Sequence, residues 1–75
     1  MKIKTIDYKT NNFGEIDRTK PAKIIYEEIG LENFNELLYF IRLIHAKNHV
    51  HVRYENNIEY ISVVGDDFRK YITII

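Results

Sequence analysis

Apolar and polar residues follow two different periods along this chain, and the change of period defines its elements. From Asn33 to Lys47, Phe34, Leu37, Leu38, Ile41, Ile44 and His45 fall on one stripe about 100° wide, the period of an amphipathic helix. Asn33 stands at the N-cap with Glu36 three residues later, an approximate capping box. His45 and Lys47 suit the negative end of the helix dipole, and Asn48 offers a left-handed exit. Phe40 flanks the stripe, while Leu43 points nearly opposite it, with Tyr39 and Ala46 beside it. That far side calls for its own cover, either a neighbouring helix or a second copy of the chain.

Beyond the helix the period drops to two. His49–Glu55 and Ile58–Val64 alternate, joined by Asn56-Asn57, a pair that accepts the positive φ of a type I′ turn. With that turn, Glu55 faces Ile58, Val52 faces Ile61 and Val50 faces Val63 on one side, with Tyr54 beside Glu59. His51 faces Ser62 and Arg53 faces Tyr60 on the other. A slip of one residue would send the valines to water, so the register is well specified. Gly65-Asp66-Asp67-Phe68 reads as a second tight turn and Phe68–Ile75 as a third strand. Closing that turn at Asp66-Asp67 places Ile72 opposite Ile61 and Ile74 opposite Glu59, and sends Arg69, Tyr71 and Thr73 to the outer face.

The first third of the chain is less regular. Lys2–Lys9 carries Ile3, Thr5, Ile6 and Tyr8 among charges, a β-prone alternation that predicts a strand pairing at one edge of the sheet. Thr10–Arg18, with Asn11-Asn12 and Gly14, has turn chemistry, and Phe13 and Ile16 are expected to tuck onto the core. A tight turn with a short second strand also fits. Thr19 can cap a helix that holds Pro21 in its first turn, Ala22, Ile25, Tyr26 and Ile29 at helical spacing, and Gly30 as terminator. Against that helix, Ile24-Ile25-Tyr26 is β-prone and Glu27-Glu28 opposes the dipole, so residues 20–29 read as helix with a strand as the alternative. The resulting order is β-α-α-β-β-β. It is an α+β single domain over residues 1–75, with two helices packed on one face of an antiparallel sheet.

Composition narrows the function classes. A chain of 75 residues has room for one domain, and a domain this small buries only roughly 60 to 65% of its unfolded surface, so a second subunit would add stability. Eleven basic residues balance eleven acidic ones, which disfavours a dedicated duplex-DNA binder and an acidic DNA mimic alike. Cysteine is absent, so neither disulfides nor thiolate chemistry enter. Met1–Lys9 lacks the apolar core of a signal peptide, and no apolar run approaches the roughly 20 residues of a membrane span. A cytoplasmic protein with no membrane role is expected. Abundant Ile, Asn and Lys points to an AT-rich genome, as in low-GC bacteria and their phages.

Catalytic and metal chemistry find little footing. His45, His49 and His51 lie close in sequence, but without cysteine or a well-placed fourth ligand they read as solvated side chains, and neither a metal nor a cofactor is expected. Asp66-Asp67 is explained by its turn. Ser62, the single serine, faces His51 without an orienting third group or an oxyanion hole, so no catalytic residue is assigned. Glu27, Glu28, Glu32 and Glu36 form an acidic run around the turn between the two expected helices, a carboxylate patch open to a basic partner that reads more simply as solvation of a short loop. The pattern that stands out is the outer sheet face, where His49, His51, Arg53, Tyr60, Arg69 and Tyr71 interleave cations with rings. Such a face anchors proteins through Tyr and Arg, or stacks single-stranded bases.

Ala46–Tyr54 followed by Ile58–Ile75 resembles the helix and V-x-V-x-Y hairpin of the Sm-like β-barrels in WYL-type regulatory domains, over about a third of the chain. No functional residue is carried over on it. The function expected is that of a small non-enzymatic interaction protein. It binds a protein partner as a modulator or inhibitor, with homodimerisation through Tyr39, Phe40 and Leu43. The alternative is a single-stranded nucleic-acid module using the outer sheet face.

Overall fold

In the computed structural model, which describes residues 1–75, the strands are β1 (Lys2–Lys9), β2 (Lys23–Glu28), β3 (His49–Glu55), β4 (Ile58–Val64) and β5 (Phe68–Ile74). A single helix, α1 (Phe34–Ile44), separates β2 from β3. All pairings are antiparallel, and the strands lie in the order β2-β1-β5-β4-β3, an open sheet with β2 and β3 at its edges. The α+β class holds, with one helix rather than two.

The difference falls on residues 20–29. Lys23–Glu28 is strand β2, paired with β1 from Lys2↔Glu28 to Asp7↔Lys23. Its apolar residues fit either period, and the free edge of β1 decides, because pairing there satisfies backbone groups on both strands. Thr19 caps nothing. Its N–H and hydroxyl both donate to Asp17 Oδ1, at 3.0 and 2.5 Å, and hold the Asp17 carboxyl below the usual carboxylate range. Because β2 covers its outer side, β1 is an interior strand between β2 and β5, not an edge strand.

The β1–β2 connection is a turn built on Asn11, whose Oδ1 accepts the N–H groups of Phe13 (2.9 Å) and Glu15 (3.0 Å), with Gly14 at φ 78°. Phe13 is 87% exposed, so it does not tuck onto the core. Ile16 is half-buried beside the bridge between Thr10 and Ile16.

Helix α1 starts as the sequence specifies. Asn33 Oδ1 accepts the Glu36 N–H at 2.9 Å, and Asn33 Nδ2 donates to Glu36 Oε1 at 3.3 Å. Asn33→Ala is therefore expected to cost about 1 kcal/mol, read as a fall of about 4 to 8 °C in Tm by circular dichroism. The helix ends at Ile44, short of Lys47. The His45 N–H donates to Ile41 O (3.0 Å) and the Asn48 N–H to His45 O (2.9 Å). Asn48 does not adopt the left-handed exit, since Asn56 and Asn57 are the non-glycine residues with positive φ. A His45 Nδ1 to Asn48 Oδ1 contact of 3.1 Å closes this last turn and feeds the chain into β3.

The core lies between α1 and the middle of the sheet. Leu37 and Ile41 descend onto Ile3, Ile61, Val63 and Ile72, all buried. The hairpin register is the one the sequence specifies, from Glu55↔Ile58 to His49↔Val64, with Asn56 and Asn57 at φ 51° and 64°. Ile72 meets Ile61 in the expected register, the β4–β5 ladder ends at that pair, short of Glu59 and Ile74, and Ile74 pairs on its other side with Ile3 of β1. Gly65 at the β4–β5 turn is required by close approach, because a Cβ there would overlap the Phe68 ring.

Candidate functional site: the outer face of the sheet

Alternation along each strand sends Leu37 and Ile41's partners to one face and a second set of residues to the other. Across this outer face, His51↔Ser62↔Tyr71↔Ile6↔Ile24 form one row. The neighbouring row runs His49↔Val64↔Arg69↔Tyr8, and on the far side Arg53 pairs with Tyr60 and Lys4 with both Thr73 and Tyr26. All six residues singled out from the sequence, His49, His51, Arg53, Tyr60, Arg69 and Tyr71, therefore share this face.

Three of its rings form a ladder. Tyr71 stands edge-on to Tyr8 (centroids 5.8 Å apart, planes at 68°) and to Tyr60 (5.6 Å, 89°). Edge-to-face pairs at this spacing are favoured by the ring quadrupoles. Beside the ladder lies a shallow concavity of about 470 Å³, lined by Arg53, Glu55, Tyr60, Arg69, Tyr71 and Thr73. Partial desolvation and the Glu55 carboxylate raise the Tyr60 phenol above the ordinary tyrosine range. Arg69 is half-buried and braced by the β1–β2 turn through its donation to Gly14 O at 2.9 Å, whereas Arg53 is exposed at the β3 edge.

The histidines divide. His49 and His51 stack at 6.1 Å with planes 7° apart on the outer face, while His45 packs against Phe68 at 6.1 Å on the helix side. The three imidazoles are thus not brought together. Ser62 faces His51 as its register requires and is 3% exposed, closed to a substrate. Asp66 and Asp67 are exposed in their turn, and Glu27, Glu28, Glu32 and Glu36 are exposed as well.

The second surface is the back of α1. Tyr39 (68%), Phe40 (42%) and Leu43 (59%) are exposed, and with residues 20–29 in the sheet no neighbouring helix covers them.

Two residues of this face are not singled out by the sequence, Tyr8 and Glu55. Thr73 stands where the β5 register sends it, and Glu55 follows from the hairpin register, which places it on the face of Arg53 and Tyr71. Tyr8 had no such signal, because its position beside Arg69 depends on β1 pairing with β5.

Fold and face together define an open α+β sheet with one helix-covered side and one aromatic, cationic side. The chain matches no family model, no curated protein and no solved structure. No helix is long and apolar enough to cross a membrane.

Proposed function

We propose that this protein is a small non-enzymatic interaction module that binds a protein partner through the outer face of its sheet and acts as a modulator or inhibitor of that partner. The carrying observation is the Tyr8–Tyr71–Tyr60 ladder bordered by Arg53 and Arg69. Tyrosine and arginine are the side chains that most often dominate protein–protein binding energy, because each combines large contact area with directed hydrogen bonding. The rings are held by one another and Arg69 by Gly14 O, so little ordering entropy is lost on contact. The chemistry-bearing residues stand on an open face with no pocket to enclose a reacting group, which favours binding over catalysis. The composition fits a chain encoded by a low-GC bacterium or by its phage or mobile elements.

A second reading is supported by Lys4, Arg53 and Arg69 sharing the ladder's face: the rings would stack bases of a single strand while the cations meet phosphates. The two readings separate in one experiment. Tagged protein is captured from a low-GC bacterial lysate with and without nuclease, then washed at low and at high salt. A discrete protein retained in stoichiometric amount after nuclease and at high salt supports the protein-binding reading. Retention of nucleic acid alone, released steeply with salt, replaces it with the second.

A further inference from the structure

Strand β3 leaves one side of a seven-residue strand open along the sheet edge. In the two-residue hairpin, Glu55 and Ile58 form the hydrogen-bonded pair next to the turn, so Glu55, Arg53, His51 and His49 direct their N–H and C=O groups at β4. Val50, Val52 and Tyr54 direct theirs outward. These same residues carry their side chains on the helix side of the sheet, where Val52 is 42% and Tyr54 66% exposed. Val50 packs against the core, whereas the outward backbone groups and the exposed Val52 and Tyr54 side chains of this edge lack a partner.

The edge is weakly protected, its charged side chains being Arg53 and Glu55 on the outer face. It contains no proline, glycine or lysine, and its register with β4 is unbroken by a bulge. The opposite edge, β2, is blunted. It is shorter, follows closely on Pro21, which lacks the N–H a ladder needs, and ends in the adjacent carboxylates Glu27 and Glu28.

The sequence of β3, His-Val-His-Val-Arg-Tyr-Glu, is also complementary to itself in reverse. Antiparallel pairing about Val52 sets Val52 against Val52 and Val50 against Tyr54 on the helix side, in hydrogen-bonded pairs. On the outer side it sets His49 against Glu55, in the closer non-hydrogen-bonded geometry. His51 then meets Arg53. We infer that a second copy of this chain docks on the β3 edge, joining two five-stranded sheets into one continuous sheet across a two-fold axis at Val52. Self-association thus moves from the Tyr39, Phe40 and Leu43 ridge to the β3 edge, because the edge supplies directed backbone partners and a sequence that pairs with itself in reverse, with a hydrogen-bonding imidazole against the Glu55 carboxylate, while the ridge supplies apolar exposure alone. The pairing brings His49 of one copy beside Glu55 of the other, at the rim of the concavity, and doubles the outer face.

Sedimentation equilibrium tests this directly. The wild type is expected to be a dimer at about 100 µM, and Val52→Lys, which sets two ammonium groups against each other at the axis, a monomer with an unchanged circular dichroism spectrum. Val52→Pro, which removes one outward N–H and nothing that β4 uses, is expected to do the same. Glu55→Lys should weaken the dimer roughly tenfold, and adding His49→Glu should restore it. A wild type that stays monomeric at this concentration overturns the inference. So does a dimer that survives both Val52 substitutions, or one lost with Leu43→Glu or Tyr26→Lys but not with Val52→Lys.

Discussion

Leu37→Ala is expected to destabilise the protein by about 3 to 5 kcal/mol, enough to lower Tm by about 12 °C or more in a domain of this size. Leu37 is fully buried, at the centre of a cluster with Ile41, Ile3, Ile61, Val63 and Ile72. Truncation removes its transfer free energy and leaves a cavity that the stiff β-branched neighbours on the sheet cannot fill. Leu43→Ala is the matched control: the same residue type on the same helix, 59% exposed, expected to change stability by no more than about 0.5 kcal/mol. Thermal melts of both variants check the pair. Similar losses from the two substitutions would mean that α1 does not seat on the sheet through its Leu37 face.

The second large effect concerns binding. Tyr71 is the middle ring of the ladder, touching both Tyr8 and Tyr60, and its removal opens the centre of the surface. Tyr71→Ala is expected to weaken partner binding by about 2 kcal/mol or more, roughly thirtyfold in Kd. The two edge-to-face contacts contribute to folding as well, so the variant should also lose about 1 to 2 kcal/mol of stability. Tyr71→Phe separates the effects. It keeps both ring contacts and the fold while removing the phenolic hydroxyl, so a binding loss that persists in Tyr71→Phe belongs to the hydroxyl rather than to the ladder.

How much of this was legible in the sequence depends on how local the deciding physics is. The hairpin register could be read residue by residue, because Asn56-Asn57 selects the turn and the turn selects the pairing. The start of α1 was equally plain from Asn33 and Glu36, whose bonds span three residues. Residues 20–29 were not, since Ile24, Ile25, Tyr26 and Ile29 satisfy both periods and what chooses the strand is the open edge of β1, some 20 positions away in sequence. The interior position of β1 was hidden for the same reason. At the outer face, the six residues that the hairpin and its following strand control came out together, while Tyr8 depended on the long-range β1–β5 pairing.

The central claim is that the ringed face of the sheet, and not the bare back of the helix, holds the partner. Quantitative capture from one lysate with three proteins tests it: wild type, a Tyr60→Ala/Tyr71→Ala double variant, and Leu43→Glu, each first shown to be folded by circular dichroism. The predicted result is a partner retained by the wild type and by Leu43→Glu and lost from the double variant. Retention by the double variant with loss from Leu43→Glu would contradict the account and place the contact on α1.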